Sequence, residues 1–209
     1  MEFLLNINIQ FYIIAYLAGG IPFGVILAKK FADTNIMAYG SGSIGATNVL
    51  RVLSQSDPKL AKKLAIATVL LDAIKGILVL FIADFIFHLS DATLWMIALL
   101  SVIGHCYSPF LKLEGGKGVA TAMGVMLYML PLETLLAGAA WFIAGKLIKI
   151  SSVSSLIGLF VLIASSFILH YEMPQIKTHA PILLIAFIII YKHIPNIVRL
   201  FNAQEKPVV

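Results

Sequence analysis

Residues 60–87, LAKKLAIATVLLDAIKGILVLFIADFIF, decide the fold. A helix needs about 20 mostly apolar residues to cross a hydrocarbon core, and this run exceeds that. Its inner charges, Asp72 and Lys75, stand three apart, where one helix turn lets them neutralise each other. Charges at membrane depth are expensive, so the pair is also a functional suspect. Working outward, further apolar runs read as 9–27, 93–110, 119–130, 132–147, 153–170 and 180–191. The fourth, fifth and seventh runs in chain order are short. Pro131 between the fourth and fifth marks either a tight turn between two short spans or the tip of one re-entrant hairpin. The expectation is an all-α integral membrane protein of about seven transmembrane helices, a single polytopic domain over residues 1–209.

Composition agrees. The chain of 209 residues is 60% hydrophobic and 12% charged, with a mean hydropathy of +0.98. Soluble domains carry about 45–50% apolar and 25% charged residues. The excess cannot be buried in one soluble core, so the bilayer is the solvent. The net charge of +5 does not argue for nucleic acid, because the cations fall in short loops between spans. Except for Lys75 and Lys177, every Lys and Arg lies on one side, from Lys29, Lys30, Lys59, Lys62 and Lys63 to Lys112, Lys146, Lys149, Lys192 and Lys206. The acids Glu2, Asp84, Asp91, Glu133 and Glu172 gather on the other. Positive loops stay in the cytoplasm. The N-terminus is therefore expected outside and the C-terminus in the cytoplasm. The opening Met1-Glu2-Phe3-Leu4-Leu5 lacks the basic segment of a cleaved signal peptide, so the first span is expected to be retained. The single Cys106 excludes an internal disulfide and a cysteine metal site.

Three polar elements interrupt this oily chain on the basic side. The first is Tyr39-Gly40-Ser41-Gly42-Ser43-Ile44-Gly45-Ala46-Thr47-Asn48, closed by Arg51. Glycines let backbone N–H groups converge on one anion, hydroxyls add short donors, and arginine adds a bidentate fork. This is the chemistry of a phosphate cradle, with Ser41, Gly42, Ser43, Gly45, Thr47, Asn48 and Arg51 as binding candidates. A plain polar connector would not need that spacing. The glycine pattern also matches a dinucleotide fingerprint, but no βαβ unit surrounds it.

The second element is Glu114-Gly115-Gly116-Lys117-Gly118, opening the fourth run. Gly115, Gly116, Lys117 and Gly118 place a cation and free N–H groups at a helix start, where anions bind. The spacing is not that of a Walker A loop. Gly104-His105 precedes it and His105 can reach the same site. The third element is His193-Ile194-Pro195-Asn196-Ile197-Val198-Arg199-Leu200. His193, Asn196 and Arg199 recur at a spacing of three and share a helix side. They offer a switchable donor, a neutral donor and a phosphate clamp. His88, His170 and His179 fall on the other side and read as interfacial packing. No histidine is followed by an aspartate at the fifth position, the pair that acyltransferases using acyl-CoA or acyl carrier protein commonly carry. There is no nucleophile elbow and no clustered metal-ligand set.

Taken in order, Ser41-Gly42-Ser43-Ile44-Gly45-Ala46-Thr47-Asn48-Val49-Leu50-Arg51, Gly104-His105 through Gly115-Gly116-Lys117-Gly118-Val119-Ala120-Thr121, and His193-x-x-Asn196-Ile197-x-Arg199-Leu200 resemble the three motifs of the PlsY family. These are bacterial integral-membrane acyl-phosphate:glycerol-3-phosphate acyltransferases. The resemblance covers essentially the whole chain and departs at Ser43, where the family favours asparagine. It implies a seven-helix fold in the bacterial inner membrane, with the active site facing the cytoplasm. It implies transfer of an acyl group from acyl phosphate to the 1-hydroxyl of glycerol 3-phosphate. The products are lysophosphatidic acid and inorganic phosphate, in the first committed acylation of phospholipid synthesis. The expected catalytic residues are Ser41, Lys117, His193 and Asn196. Arg51, His105, His193 and Arg199 join the loop residues in phosphate binding. The proton acceptor is either His193 or a substrate phosphate oxygen. No cofactor or metal is expected. Membrane lipid is a partner, and so is a candidate enzyme that supplies acyl phosphate. The rival reading is a small transporter for phosphorylated solutes, against which stand the lack of a repeated half and the placement of cations at one face.

Overall fold

The computed structural model describes residues 5–173, 176–205 and 207, and Glu2 and Lys206 lie outside them. Nine α-helices and no strand occur among the described residues: α1 (Ile7–Gly20), α2 (Phe23–Ala32), α3 (Ala46–Leu53), α4 (Pro58–Phe81), α5 (Asp91–Cys106), α6 (Val119–Met129), α7 (Pro131–Ile148), α8 (Ser151–Leu169) and α9 (Ala180–Phe201). Their starts follow from local chemistry. Asn6 caps α1 by accepting from the Asn8 N–H at 2.9 Å. Asp57 caps α4 through the Lys59 and Leu60 N–H groups, with Pro58 in the first turn, where a missing N–H costs nothing.

Among the described residues, six stretches are long and apolar enough to cross a membrane: Ile7–Ala32, Pro58–Ile86, Asp91–Leu111, Pro131–Ile148, Ser151–Leu169 and Ala180–Phe201. Two expectations need correction. The fifth and seventh runs are not short: α7 and α9 reach spanning length, α9 because its helix continues through Pro195 and the third motif. The first span is not one helix. It breaks at Ile21-Pro22 between α1 and α2, since proline lacks the N–H that would continue the ladder. Of the three runs expected to be short, only the fourth, α6 with 11 residues, stays below spanning length. It still joins opposite ends of the bundle. Its start follows the glycine turn beside Cys106 and Val102, and Tyr128 near its end donates to Asp84 at 2.7 Å.

Lipid replaces water as the outer solvent. Exposed side chains include Phe187 at 66%, Phe160 at 70% and Ile168 at 80%. Helices in lipid gain little from hydrophobic exclusion and pack through small residues. Gly104 of α5 lies against the Tyr16 carbonyl of α1, and Gly19 of α1 against Ser101 of α5. Gly124 of α6 lies against Ala73 of α4, and Gly76 against Val125. A smaller cluster of Ala28, Ile36, Val49, Leu53, Ala61, Leu64 and Ala65 seats α3 on α2 and α4.

The ends are chemically distinct. Phe11 stacks edge-on against Phe87 at 5.0 Å, which places the start of α1 beside the end of the second span. That end also holds the His170–Glu133 pair at 2.7 Å, Lys177 with Glu172 at 3.8 Å, and His179 stacked on Phe167. The glycine loops and the C-terminal residues meet at the opposite end. The two described chain ends thus lie toward opposite ends of the bundle.

The tight α1–α5 crossing predicts a stability difference. Gly104→Val would drive side-chain atoms into the Tyr16 carbonyl, and overpacking of this kind costs about 1–3 kcal/mol. Thermal unfolding in detergent should show a lower Tm for Gly104→Val. Gly138→Ala, which enters open space, should match or exceed the wild type.

Candidate active site

The first glycine loop is held by Asn48. Its Nδ2 donates to the carbonyls of Ile36 (2.8 Å), Tyr39 (3.2 Å) and Ser43 (2.8 Å), and its Oδ1 accepts from the Ser41 N–H at 2.9 Å. Asn48 is 1% exposed. This corrects its expected role: the amide is spent on shaping the loop and is not available to bind a phosphate. Gly40 and Gly42 carry φ of 64° and 68°, a region that a side chain resists. The loop also gives way to helix earlier than expected. Thr47, Asn48 and Arg51 all stand on α3, with Gly45 at its N-cap. Ser43 Oγ accepts from the Gly45 N–H at 3.4 Å, and Thr47 Oγ1 lies 3.1 Å from Ser151 Oγ.

In the second element, the Gly116 N–H donates to the His105 carbonyl at 3.0 Å. Its Cα lies so close to the imidazole that a Cβ would overlap Nε2. Gly116 borders neither cavity described below, so its contribution is close packing on His105 and not a ligand contact. Gly118 has φ of 84°, which reverses the chain and turns Lys117 inward. In the third element, His193 Nδ1 lies 2.8 Å from the Ile189 carbonyl. A carbonyl only accepts, so Nδ1 carries the proton and Nε2 is left as an acceptor.

These elements converge on two adjoining cavities, of about 260 Å³ and about 390 Å³. Both are bordered by Ser41, Ser43, Lys117 and Asn196. The first adds Gly45, Thr47, Arg51, His105, Gly118 and His193. It then runs into an apolar arm between Met123 and Met126 of α6, Ala137 and Trp141 of α7, and Leu159 and Leu162 of α8. The second adds Gly42, Gly115 and Arg199. Residues separated by more than half the chain thus form one site with a cationic end and an oily end.

Three contributors carry weak sequence signals. Ser151 and Ser152 open α8 as two ordinary polar residues at a span boundary. Glu205 is an acid in a basic tail. Its carboxylate accepts from Asn196 Nδ2 at 2.5 Å, Arg199 Nε at 2.6 Å and Ser152 Oγ at 3.0 Å. Because a carboxylate only accepts, it fixes the Asn196 amide with Oδ1 turned away from it. Burial opposes ionisation of Glu205, but the hydrogen bonds from Arg199, Asn196 and Ser152, with the Arg199 charge, hold it below the usual carboxylate range. Burial pushes Lys117 down to about 8; Glu205 works against that shift, while Arg199 and Arg51 add to it. Among the described residues no group of His, Cys, Asp and Glu could hold a metal.

The family profile described as "Glycerol-3-phosphate acyltransferase" matches residues 9–203. The chain belongs to this family. It is 60% identical to the glycerol-3-phosphate acyltransferase of Sulfurimonas denitrificans and 57% identical to that of Wolinella succinogenes, each over the full length of both chains. Among solved structures it is similar to PlsY (YgiH), an integral membrane glycerol 3-phosphate acyltransferase. The glycerol 3-phosphate form of PlsY gives a TM-score of 0.85 at 32% identity, covering 96% of this chain and 94% of that one. The lysophosphatidic acid form gives 0.81 at 31%, with the same coverage. Like other glycerol-3-phosphate acyltransferases of this family, this is a multi-pass, all-helical membrane protein.

Lys117 makes the site pH-sensitive. Its ammonium is lost as pH rises through about 8, so phosphate binding should weaken on the alkaline side. KM for glycerol 3-phosphate should climb above pH 8. Glu205→Gln removes a charge that raises the Lys117 pKa, so the climb should begin at lower pH. Steady-state kinetics from pH 6 to 9 checks both.

Proposed function

We propose that this chain transfers a fatty acyl group from acyl phosphate to the 1-hydroxyl of glycerol 3-phosphate, releasing lysophosphatidic acid and inorganic phosphate. The observation that carries this reading is the shape of the first cavity: a cluster of cations and hydroxyls opening into an apolar arm. An acyl phosphate has that polarity. The second cavity, bordered by Arg199 and Lys192 and without such an arm, suits the phosphate of a compact second substrate. The naming of the relatives and the two ligand forms of the PlsY structure support the acceptor and the lipid product.

Acyl phosphate is already activated, because phosphate leaves readily. No acyl-enzyme is needed. Holding the hydroxyl against the carbonyl can supply roughly 7–11 kcal/mol of the barrier. The hydroxyl oxygen attacks the carbonyl carbon, the bond from that carbon to the phosphate oxygen breaks, and the hydroxyl proton passes to the departing phosphate. Arg51, Lys117 and Arg199 meet the two phosphates, with Ser41 and Thr47 adding hydroxyl donors. Cations placed where charge develops act strongly in a site shielded from water. Asn196 Oδ1 and His193 Nε2 are acceptors, and between them they orient the two hydroxyls of glycerol 3-phosphate before the attacking one releases its proton to phosphate.

The cationic end faces the cytoplasm of the bacterial inner membrane in this reading, with the N-terminus outside and seven passages in one membrane domain. The support is the asymmetry of Lys and Arg. A cytoplasmic opening also places the site where water-soluble glycerol 3-phosphate, and an enzyme supplying acyl phosphate, can reach it.

The donor is tested with purified protein in detergent, labelled glycerol 3-phosphate and no added metal. Palmitoyl phosphate should yield lysophosphatidic acid, while palmitoyl-CoA and palmitoyl carrier protein should not. Product from a thioester alone overturns the donor assignment. The proton acceptor is tested with His193→Gln, whose amide accepts a hydrogen bond but does not take a proton. General-base catalysis contributes about 10²–10⁴-fold. The reading expects a raised KM with kcat kept within about tenfold of wild type. A kcat loss of a hundredfold or more would make His193 the base.

A further inference from the structure

Beneath the second glycine turn lies a buried polar group that the proposed mechanism does not use. Asp72, Lys75 and His105 are 2%, 6% and 3% exposed. Lys75 Nζ stands 2.7 Å from Asp72 Oδ1, 3.0 Å from the Ile21 carbonyl and 3.0 Å from His105 Nδ1. An ammonium has three N–H donors and no acceptor. Here it meets three acceptors from three different spans, so every donor is used. The Ile21 carbonyl is available because the first span breaks there.

This closure dictates the state of His105. An ammonium beside Nδ1 requires a lone pair on Nδ1, so the neutral ring carries its proton on Nε2. A doubly protonated ring would set N–H against N–H. The 3.7 Å approach of Nδ1 to Asp72 is therefore a neighbour contact within the Lys75 shell and not an ion pair of its own. The Nε2 edge is the one packed against Gly116, whose N–H the His105 backbone also holds. His105 and Asp72 both border the first cavity, the one with the apolar arm, beside Lys117 and Gly118.

We propose that Asp72 and Lys75 are positioning residues that lock His105 as a neutral Nε2–H donor to a phosphate oxygen held at the Lys117 turn. A neutral donor adds a hydrogen bond to the anion without adding positive charge beside Arg51, Lys117 and Arg199. Asp72 balances the ammonium that sets the tautomer, and the Ile21 carbonyl takes the third N–H of that ammonium. The inference rests on reading the cavity as a phosphate site.

Two substitutions separate this from a purely structural role. Glutamine places its amide nitrogen near the position of Nε2, and asparagine places its amide near Nδ1. His105→Gln should therefore keep kcat/KM within about tenfold of wild type, whereas His105→Asn, which still accepts from Lys75, should lose about ten- to a hundredfold more. The reverse order, with Asn the better rescue, would show that His105 merely satisfies Lys75 and would overturn the proposal. The tautomer is read without substrate by nitrogen NMR of histidine-labelled protein, with His105→Gln identifying the resonance. Protonated Nε2 and unprotonated Nδ1 are expected, with the tautomer preference lost in an Asp72→Asn, Lys75→Met double variant that keeps the pair's charge balance. A wild-type ring protonated on Nδ1 overturns the proposal even if the enzyme turns over. Protein that shows the expected tautomer and variant ranking with a thioester donor would leave this inference standing and remove the donor assignment.

Discussion

The buried ammonium of Lys75 is the contact on which the site end depends. A hydrocarbon interior offers no water to a charged group, so a lysine there persists only where carboxylate, carbonyl and imidazole supply every bond it needs. Those partners are Asp72 on its own helix, Ile21 at a break in the first span, and His105 on α5. Three spans are thereby fixed at one depth. The break is part of the arrangement, because an unbroken first helix would hold its carbonyls in the ladder. From this level the chain rises to the glycine turn, whose Gly116 rests on His105.

Above that anchor the problem is to gather cations without letting repulsion open the site. Arg51, Lys117 and Arg199 approach from α3, the turn before α6, and α9. Burial among such neighbours holds Lys117 down to about 8. Glu205 supplies the compensating charge. It ties the end of the chain to Arg199, Asn196 and Ser152, and in doing so it sets which atom of Asn196 faces a substrate. Close helix approaches at Gly19, Gly104 and Gly124 give these side chains a rigid frame. Packing in lipid rests on such contacts where exclusion of water cannot act.

Much of this was legible in the sequence for one reason: local composition carries it. Apolar runs located the spans, and the three motifs gathered as their shared basic side required. What misled was also local. The run at 180–191 ended early because His193, Asn196 and Arg199 are polar, yet they stand on a helix that continues past Pro195. Asn48 reads as a phosphate ligand because its amide is a donor, but four loop partners take it up. Glu205 and Ser152 escaped notice because nothing beside them in the chain distinguishes them.

The sequence by itself determined the membrane class, the segregation of charge and the residue types that meet a phosphate, since these follow from hydropathy and from side-chain chemistry. Only the tertiary structure decided which donors remain free. Hydrogen-bond partnership depends on distance and direction across spans, as in the pairing of Lys75 with Ile21 and His105, or of Asn196 with Glu205. It also decided that the short α6 joins the two ends and that the oily arm between α6, α7 and α8 opens from the cationic cluster. A cavity is the space that several helices leave between them, and no single stretch of chain encodes it.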